Sequence, residues 1–350
     1  MSQRHLVEDL LDGDHRALAR VITNIEDRRP GYRDLVAELH QDTGEADVIG
    51  VTGSPGSGKS TLVDKLAATY RDRGLTVGVI AIDPSSPFTG GAVLGDRIRM
   101  ASNIGDMDVF FRSMSARGTL GGISTATAGA VRALDAFGKD RILVETVGAG
   151  QNEIDIVKTA DTVTVLVPPG SGDDVQMLKA GIFEIGDVFV VNKADLPGSD
   201  RTVQELQEML HHGGGDVPDT VGHHGASDTV EAFDSTGDDR GGDADWDPVI
   251  VETVANEGEG VDELVEVFGE HADHLDSTGG RAANARTRYA AEIRRLLRED
   301  VNDLVAAELA RQGGLDSFVE RVLDRETNPY AVADELVDPI AECVEQRREH

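Results

Sequence analysis

The sequence is poor in cysteine and in long apolar runs, and each shortage excludes a class of protein. Cys343 is the one cysteine among 350 residues, so it has no second cysteine with which to form a disulfide or a thiolate metal site. No run approaches the ~18 consecutive apolar residues that a membrane-spanning helix needs. The amino-terminal stretch MSQRHLVEDLLDGDHRALAR is charged throughout, unlike a signal peptide. These features predict a cytoplasmic protein without a membrane partner.

Positive charge is also scarce, and this shortage restricts the partners. There are 65 Asp and Glu residues against 33 Lys and Arg residues, which gives a formal net charge of -32. A surface of this charge repels nucleic acid, so we expect no nucleic-acid partner. The acidic residues are spread along the whole chain, and concentrated salt would screen their mutual repulsion. We interpret this composition as halophilic adaptation.

The order of the apolar patterns predicts an α/β protein. Up to residue 45 apolar positions recur at helical spacing, with a break at Pro30-Gly31, which indicates a helical amino-terminal extension. From residue 46 to residue 275 helix-length segments alternate with the apolar runs VIGVT, VGVIAID, VFF, RILVET, TVTVLV, VFVVN and PVIVET. Such nearly continuous runs are typical of parallel strands that are buried on both faces. The pattern predicts a mostly parallel, doubly wound sheet.

Two segments differ from this pattern. Residues 211–247 are rich in Gly, Asp, His and Thr and have too few large apolar side chains for a core, so we predict a flexible acidic insertion. A solvated loop is the default interpretation, and transition-metal binding is the alternative for its histidine pairs, His211-His212 and His223-His224. Residues 276–350 are helical in pattern, and 287–309 form one long amphipathic segment. That segment serves either as an oligomerisation arm or as a cover for its own domain.

A complete phosphate-binding loop follows the first predicted strand. The strand runs into Gly53-Ser54-Pro55-Gly56-Ser57-Gly58-Lys59-Ser60-Thr61, and the segment after this loop is helical. Glycines let successive backbone N–H groups converge on phosphate oxygens at the start of a helix. In such a loop the lysine, here Lys59, binds the β and γ phosphates, and the hydroxyl of Ser60 is a ligand of Mg²⁺. The sequence therefore predicts a P-loop nucleoside triphosphatase.

A second motif identifies the base as guanine. Asn192-Lys193-Ala194-Asp195 comes directly after the apolar run VFVV, where strand ends of an open α/β sheet line the ligand crevice. The Asp195 carboxylate can accept two hydrogen bonds, from N1–H and from the N2 amino group of guanine. Asn192 can face the N7 and O6 side, and the stem of Lys193 can cover the ring. Adenine lacks that pair of donors, so we predict GTP and GDP as ligands.

Carboxylates at other strand ends are candidate metal ligands. Glu145 ends the run RILVE and begins the motif ETVG, whose Gly148 amide is placed to sense a γ-phosphate. Mg²⁺ takes oxygen ligands and keeps much of its water shell, so Glu145 would hold it directly or through water. Asp83 ends the run VGVIAID, and Asp96 lies in TGGAVLGDRIRM, a loop of the kind that reorganises when γ-phosphate and Mg²⁺ bind. We predict a Mg²⁺ site formed by these three carboxylates and Ser60.

Taken together, the motifs resemble the MeaB/ArgK type of P-loop GTPase, the methylmalonyl-CoA mutase-associated GTP-binding chaperones, also labelled LAO/AO transport system kinases or ATPases. The resemblance covers most of the chain. It includes ARVITNIEDRRP, VIGVTGSPGSGKSTL, AIDPSSPFTGGAVLGDRIRM, RGTLGGIS, ETVGAGQNE, QMLKAGIFEIGDVFVVNKADL and RTRYAAEIRRLL. Several of these segments are peculiar to that family among P-loop proteins.

The resemblance implies a function beyond nucleotide binding. It implies a homodimer that protects the cobalamin-dependent methylmalonyl-CoA mutase and gates the loading of adenosylcobalamin, with the helices after residue 276 as the dimerisation arm. Lys179 matches a family position linked to the nucleotide site or its switch. Gln151 is the candidate for placing the attacking water, at a spacing that differs from Ras-like proteins. We therefore expect slow intrinsic hydrolysis that awaits a partner.

The chain departs from the family at two places. Thr253-Val254-Ala255 stands where the family more often has a serine before the alanine, so we expect a backbone contact to guanine from Val254 and Ala255 without a side-chain contact. The insertion 211–247 also lies outside the family pattern.

Two other functions remain open at the level of sequence. The first is a GTPase for nickel insertion. The histidine pairs favour this function, and the lack of a paired cysteine motif weighs against it. The second is a kinase of an amino-acid transport system, which requires a residue that positions a protein substrate. No residue of that kind stands out in the sequence.

Overall fold

A parallel sheet occupies the centre of the part of the chain that the computed structural model describes, residues 3–83, 105–115, 122–146, 159–170, 185–213 and 246–348. Its seven strands are β1 Asp47–Gly53, β2 Val77–Asp83, β3 Val109–Ser115, β4 Arg141–Glu145, β5 Thr162–Val167, β6 Val188–Asn192 and β7 Val249–Thr253. They are hydrogen-bonded in the order β3-β2-β4-β1-β5-β6-β7, and every neighbouring pair is parallel. All seven apolar runs predicted as strands are confirmed.

Helices precede, separate and follow the strands. They are α1 Gln3–Leu11, α2 His15–Glu26, α3 Tyr32–Leu39, α4 Lys59–Asp72, α5 Gly122–Ala136, α6 Ser199–Gly213, α7 Val261–Thr278, α8 Gly280–Arg311, α9 Gly314–Leu323 and α10 Pro329–Arg348. None of these helices combines the length and the hydrophobicity of a membrane span. The long helix predicted from residue 287 is confirmed, and it begins earlier, at Gly280.

The sheet is covered on both faces, as a doubly wound fold requires. On one face Val48, Ile142 and Val144 pack in a core with the amino-terminal helices α1, α2 and α3 and with helices α5 and α6. The opposite face packs Val51 and Leu143 against α4 and α7. Alternate residues of one strand point to opposite faces, so each strand contributes to both cores and is apolar almost throughout.

The amino-terminal helices are part of the same core rather than a separate domain. Buried residues of α1 and α2, among them Leu10, Leu18 and Ile22, belong to one apolar cluster with the sheet. Residues 1–288 accordingly form one compact unit, and residues 289–350 form the other. The boundaries expected at 45 and 275 differ from this division because the extension and the first turns of α8 contact the sheet.

Both ends of the predicted acidic insertion belong to the described fold. Helix α6 continues to Gly213, and Trp246 packs against the cluster beside β7, with its indole N–H donating to the Asp187 carbonyl oxygen at 3.1 Å. The predicted segment loses its first and last residues to the fold for this reason. Residues 214–245 lie outside the described part of the chain.

The second unit, residues 289–350, has a small core. Its buried cluster consists of Phe318, Val332 and Leu336, with Leu309 and Val322 packed beside them. Large apolar side chains are exposed along its helices: Tyr289, Ile293, Leu297, Val301, Leu304, Leu315, Val319, Leu323, Tyr330 and Val337. The first five lie on α8 at intervals of three or four residues, so they form one stripe, which we call the α8 stripe.

Candidate nucleotide site

The predicted nucleotide motifs meet at one edge of the sheet. Parallel strands place their carboxyl ends together, and β1, β4, β6 and β7 end at Gly53, Glu145, Asn192 and Thr253. Hydrogen bonds join the segments at this edge, as described below. The edge therefore brings together the phosphate loop, a carboxylate and the guanine motif, which are up to 142 positions apart in sequence, from Gly53 to Asp195.

Two glycines of the phosphate loop are required by the close approach of other groups. Gly53 has a φ of 135°, and a Cβ there would lie 2.2 Å from the Leu166 carbonyl oxygen. Gly58 has a φ of 97°, and a Cβ there would lie 2.3 Å from Nδ2 of Asn192. Any side chain would also be strained at these φ values. The loop backbone thus depends on glycine for contact with both β5 and the guanine motif.

Lys59 begins α4 and is held over the loop. Its Nζ donates to the carbonyl oxygens of Gly53 at 2.6 Å and Ser54 at 2.8 Å. No side chain caps the start of α4, so its first N–H groups face the loop. The positive end of the α4 dipole, its first N–H groups and the Lys59 ammonium group together favour the binding of an anion at this loop.

Ser60 and Glu145 form the candidate Mg²⁺ site. The Ser60 hydroxyl donates to Oε1 of Glu145 at 2.5 Å, so the two oxygen atoms predicted as metal ligands are in direct contact. Glu145 is only 6% exposed. Among the residues that the structure describes, no group of three or more His, Cys, Asp or Glu side chains is placed to hold a metal ion by itself.

Asn192 links three segments at this edge. Its Nδ2 donates to the Ser57 carbonyl oxygen at 2.7 Å, while its Oδ1 accepts from Thr253 Oγ1 and from the Ala255 N–H, each at 3.1 Å. The side chain is 2% exposed, so these bonds hold it in place. Asn192 therefore connects the phosphate loop with the loop after β7.

Lys193 and Asp195 follow on the outer side of the same turn. Lys193 has a φ of 63°, in the left-handed region that is uncommon for residues other than glycine, and its Nζ donates to the Gly56 carbonyl oxygen at 2.8 Å. Asp195 is exposed to solvent. Asn192 is therefore buried and Asp195 exposed at one turn, and the reading of guanine by Asn192, Lys193 and Asp195 stays a prediction.

The end of β7 adds a residue that the sequence reasoning missed. Thr253 is buried and its hydroxyl donates to Asn192, so it helps to fix the guanine motif. Its position at a strand end of the same edge was the available signal. The Ala255 N–H, expected at guanine, is bonded to Asn192, and Val254 N–H donates to the Glu259 carbonyl oxygen at 3.1 Å.

Orphaned hydroxyls indicate that the loop fits a nucleotide. Oγ of Ser54 and Oγ of Ser57 are buried and have no hydrogen-bond partner among the described residues. Buried hydroxyls without partners are costly, and phosphate oxygens at this loop would be acceptors for them. Together with the α4 start and Lys59, these groups form a donor set suited to a polyphosphate.

Five further predicted site residues remain, and the structure describes one of them. Asp83 is the last residue of β2, at the strand end where it was predicted. The other four lie outside the described ranges: Asp96, Gly148, Gln151 and Lys179.

Comparison with known proteins points to one family. The family model for methylmalonyl Co-A mutase-associated GTPase MeaB matches residues 18–310. A candidate GTPase of Pyrococcus horikoshii is 45% identical over 335 residues, which cover 96% of this chain and 97% of that protein. GTPase ArgK of Escherichia coli is 31% identical over 308 residues, with 86% of each chain covered.

A mammalian relative and a solved structure extend the comparison. The mouse protein named methylmalonic aciduria type A homolog, mitochondrial, is 28% identical over 346 residues, which cover 95% of this chain and 78% of that protein. A crystal structure of a LAO/AO transport system kinase superposes with a TM-score of 0.62 at 22% identity and covers 97% of both chains. At that identity the superposition supports the fold.

Proposed function

Because the chain belongs to the MeaB family of methylmalonyl-CoA mutase-associated GTPases, we propose that it is a GTP-driven chaperone for an adenosylcobalamin-dependent methylmalonyl-CoA mutase. It is a GTP hydrolase that binds guanine nucleotides. In this proposal it works in the cytoplasm as a homodimer, protecting the mutase and gating the loading of its cofactor. The observation that carries the proposal is the family match over residues 18–310, together with a built nucleotide edge.

In the proposed mechanism, the chain binds the phosphates with the donors of the phosphate loop. Lys59 exchanges its bonds to the Gly53 and Ser54 carbonyl oxygens for bonds to the β and γ phosphates, while the first N–H groups of α4 donate to the same anion. Ser60 and Glu145, whose oxygen atoms are in contact, would hold Mg²⁺, and the ion would supply positive charge that stabilises the charge developing in phosphoryl transfer.

Guanine is recognised beside this site. Asn192 is bonded to both Ser57 and Ala255, so it holds the base-binding turn against the phosphate loop. Asp195, exposed on that turn, accepts from the two donors of the guanine edge. Lys193, tied to Gly56, lays its apolar stem along the ring.

Hydrolysis acts as a timer in this proposal. The loss of γ-phosphate would change the affinity of a partner surface. Asp83, Asp96, Gly148, Gln151 and Lys179 keep their predicted roles as proposals. A partner that completes the site would raise the slow intrinsic rate.

The α8 stripe supports the homodimer. Ile293 and Leu304 are 58% and 59% exposed, and the unit that carries them buries only a small cluster around Phe318. A unit with so small a core and so much exposed apolar surface gains stability when a second chain covers it. A second copy brings the same stripe, so two stripes can pack against each other around a two-fold axis.

The client is tested by capture under two nucleotide conditions. The tagged chain is purified from its own cytoplasm in concentrated salt, with a non-hydrolysable GTP analogue or with GDP, and the bound proteins are identified by mass spectrometry. The proposal predicts a methylmalonyl-CoA mutase subunit in amounts that depend on the nucleotide. Capture of a nickel enzyme or of an amino-acid transport protein instead would leave the GTPase in place and contradict the proposed client.

A further inference from the structure

Two buried threonines meet where the nucleotide edge begins. Thr52 is the second-last residue of β1, and Thr146 is the residue directly after β4. Both are 0% exposed. The Thr146 hydroxyl donates to the Thr52 hydroxyl at 3.0 Å, and the Thr146 N–H donates to the Val51 carbonyl oxygen, also at 3.0 Å. We call these two residues the threonine pair.

The threonine pair continues the β1–β4 ladder by one residue. The last partners in that ladder are Val51 and Glu145, and the backbone bond of Thr146 to Val51 extends the pairing. After Thr146 the chain continues into the ETVG motif, which is predicted to sense γ-phosphate. The pair is therefore the last described tie between the sheet and the root of that motif.

The threonine pair and Glu145 lie on opposite faces of the sheet. Side chains alternate along a strand, so Glu145 shares a face with Leu143 and points towards α4, where Ser60 lies. By the same alternation Thr146, two residues after Val144, falls on the face that Val144 occupies. A side chain that is fixed on one face fixes the backbone from which Glu145 reaches the other face.

Apolar packing alone does not explain two hydroxyls here. On the same face the two strands carry the apolar residues Val48, Ile142 and Val144, and valine has nearly the shape of threonine. A buried hydroxyl costs free energy unless it is hydrogen-bonded, whereas valine would fill the same space without that cost. The hydrogen bond between the two hydroxyls, rather than the packing of their methyl groups, is therefore the feature to explain.

We propose that the threonine pair positions Glu145 and so sets the affinity of the nucleotide site for Mg²⁺. The proposal rests on the proposed function, because Mg²⁺ is the ion that accompanies the nucleotide. Thr52 and Thr146 are positioning residues: they touch neither metal nor nucleotide and act through the backbone of Glu145. Removing an outer residue that orients a metal ligand typically weakens metal binding about 10- to 100-fold.

Two double variants separate the hydroxyls from the methyl groups. The double variant Thr52→Val with Thr146→Val keeps the shape and removes both hydroxyls, and the double variant Thr52→Ser with Thr146→Ser keeps both hydroxyls and removes the methyl groups. For each variant, Mg²⁺ is titrated into the complex with a fluorescent GDP analogue and the dissociation rate of the analogue is measured. The affinity for the analogue is also measured in EDTA, without turnover.

The double variant Thr52→Val with Thr146→Val is expected to need an Mg²⁺ concentration about tenfold higher, or more, to slow dissociation of the GDP analogue, while its affinity for the analogue in EDTA is unchanged. The double variant Thr52→Ser with Thr146→Ser is expected to show the Mg²⁺ dependence of the natural chain. Equal Mg²⁺ dependence in the double variant Thr52→Val with Thr146→Val and in the natural chain would overturn the proposal. An equal loss of affinity with and without Mg²⁺ would also overturn it, because that is the signature of a general structural role.

Two controls keep the test decisive. If the double variant Thr52→Val with Thr146→Val does not fold, Thr146→Val alone is measured with the same expectation. If the natural chain fails to bind the GDP analogue, the proposed function itself fails, which is distinct from a change in Mg²⁺ dependence.

Discussion

We propose that guanine selectivity depends on the side chain of Asp195. Its carboxylate stands exposed after the buried anchor Asn192, so it can be changed without disturbing the bonds of that anchor. Asp195→Asn replaces one acceptor oxygen with an amide that donates, which mismatches the N2 amino group of guanine and matches the O2 carbonyl of xanthine.

We predict that Asp195→Asn weakens GDP binding about 100-fold and strengthens xanthosine diphosphate binding, because a lost hydrogen bond to a charged group costs about 1.5–3 kcal/mol. Competition against a fluorescent GDP analogue measures both changes. Leu196→Ala, at an exposed neighbouring position, is the control that should keep guanine selectivity. A variant that loses both nucleotides, or neither, contradicts the assigned role.

Gly58 joins the phosphate loop to the guanine motif. Gly58→Ala would place a Cβ 2.3 Å from Asn192 Nδ2, so the bond of that amide to the Ser57 carbonyl oxygen must break. We predict a loss of GDP affinity of about tenfold or more, by isothermal titration, since a buried hydrogen bond and its geometry are lost.

Gly74→Ala is the matched control for that experiment. Gly74 has a φ of 83°, and a Cβ there would meet nothing within 4 Å. Both variants carry the strain of a side chain at positive φ, about 1 kcal/mol, and only Gly58→Ala also disturbs Asn192. Equal GDP affinity in the two variants would show that the contact with Asn192 is unimportant.

Single residues show where prediction from the sequence succeeded and where it stopped. The P-loop and NKAD motifs could be located because each combines fixed spacing with a strand end. The bond from Thr253 to Asn192 and the threonine pair were not predicted, since they join residues 61 and 94 positions apart and follow no local pattern. Only the strand order places such residues side by side.

At the scale of elements, α8 has two different parts. Its first residues belong to the unit that contains the sheet, where Arg281 contacts Asp47 at 2.8 Å and Arg288 contacts Asp161 at 2.7 Å. The later residues carry the α8 stripe and belong to the other unit. Periodicity in the sequence revealed the helix and its apolar stripe, and it could not reveal what covers the stripe, because partner and core burial need the same pattern.

We predict that Ile293→Asp dissociates the homodimer. The substitution places an unpaired carboxylate in the α8 stripe, and burying such a charge at an interface costs several kcal/mol, so dimer affinity should fall at least about 100-fold. Light scattering after size exclusion should give twice 37.3 kDa for the natural chain and 37.3 kDa for the variant. Asp303→Asn, exposed on the same helix, is the control. A natural chain that is already monomeric would contradict the dimer.

At the scale of the whole molecule, the formal net charge of -32 opposes folding when salt is low. The Debye length is about 3 Å in 1 M salt and about 30 Å at 0.01 M, so repulsion between acidic side chains acts across the molecule only in dilute salt. We predict that the free energy of unfolding falls steadily as potassium chloride is removed.

Chemical denaturation at a series of potassium chloride concentrations tests this prediction, with fluorescence of the single tryptophan, Trp246, as the readout. A neutral osmolyte at the same osmolarity is the control, because it is excluded from the surface without screening charge. Stability that is unaffected by salt, or restored by the osmolyte alone, would contradict halophilic adaptation.

If nucleotide bound at this edge drives association with the mutase, a change of base specificity must transfer that dependence from guanine to xanthine. The affinity of purified methylmalonyl-CoA mutase is measured for the natural chain and for Asp195→Asn, each with a non-hydrolysable analogue of GTP or of xanthosine triphosphate. We predict that the GTP analogue changes the affinity of the natural chain only, and that the xanthosine analogue changes the affinity of the variant only. Association that is the same with every nucleotide and in both chains would contradict it.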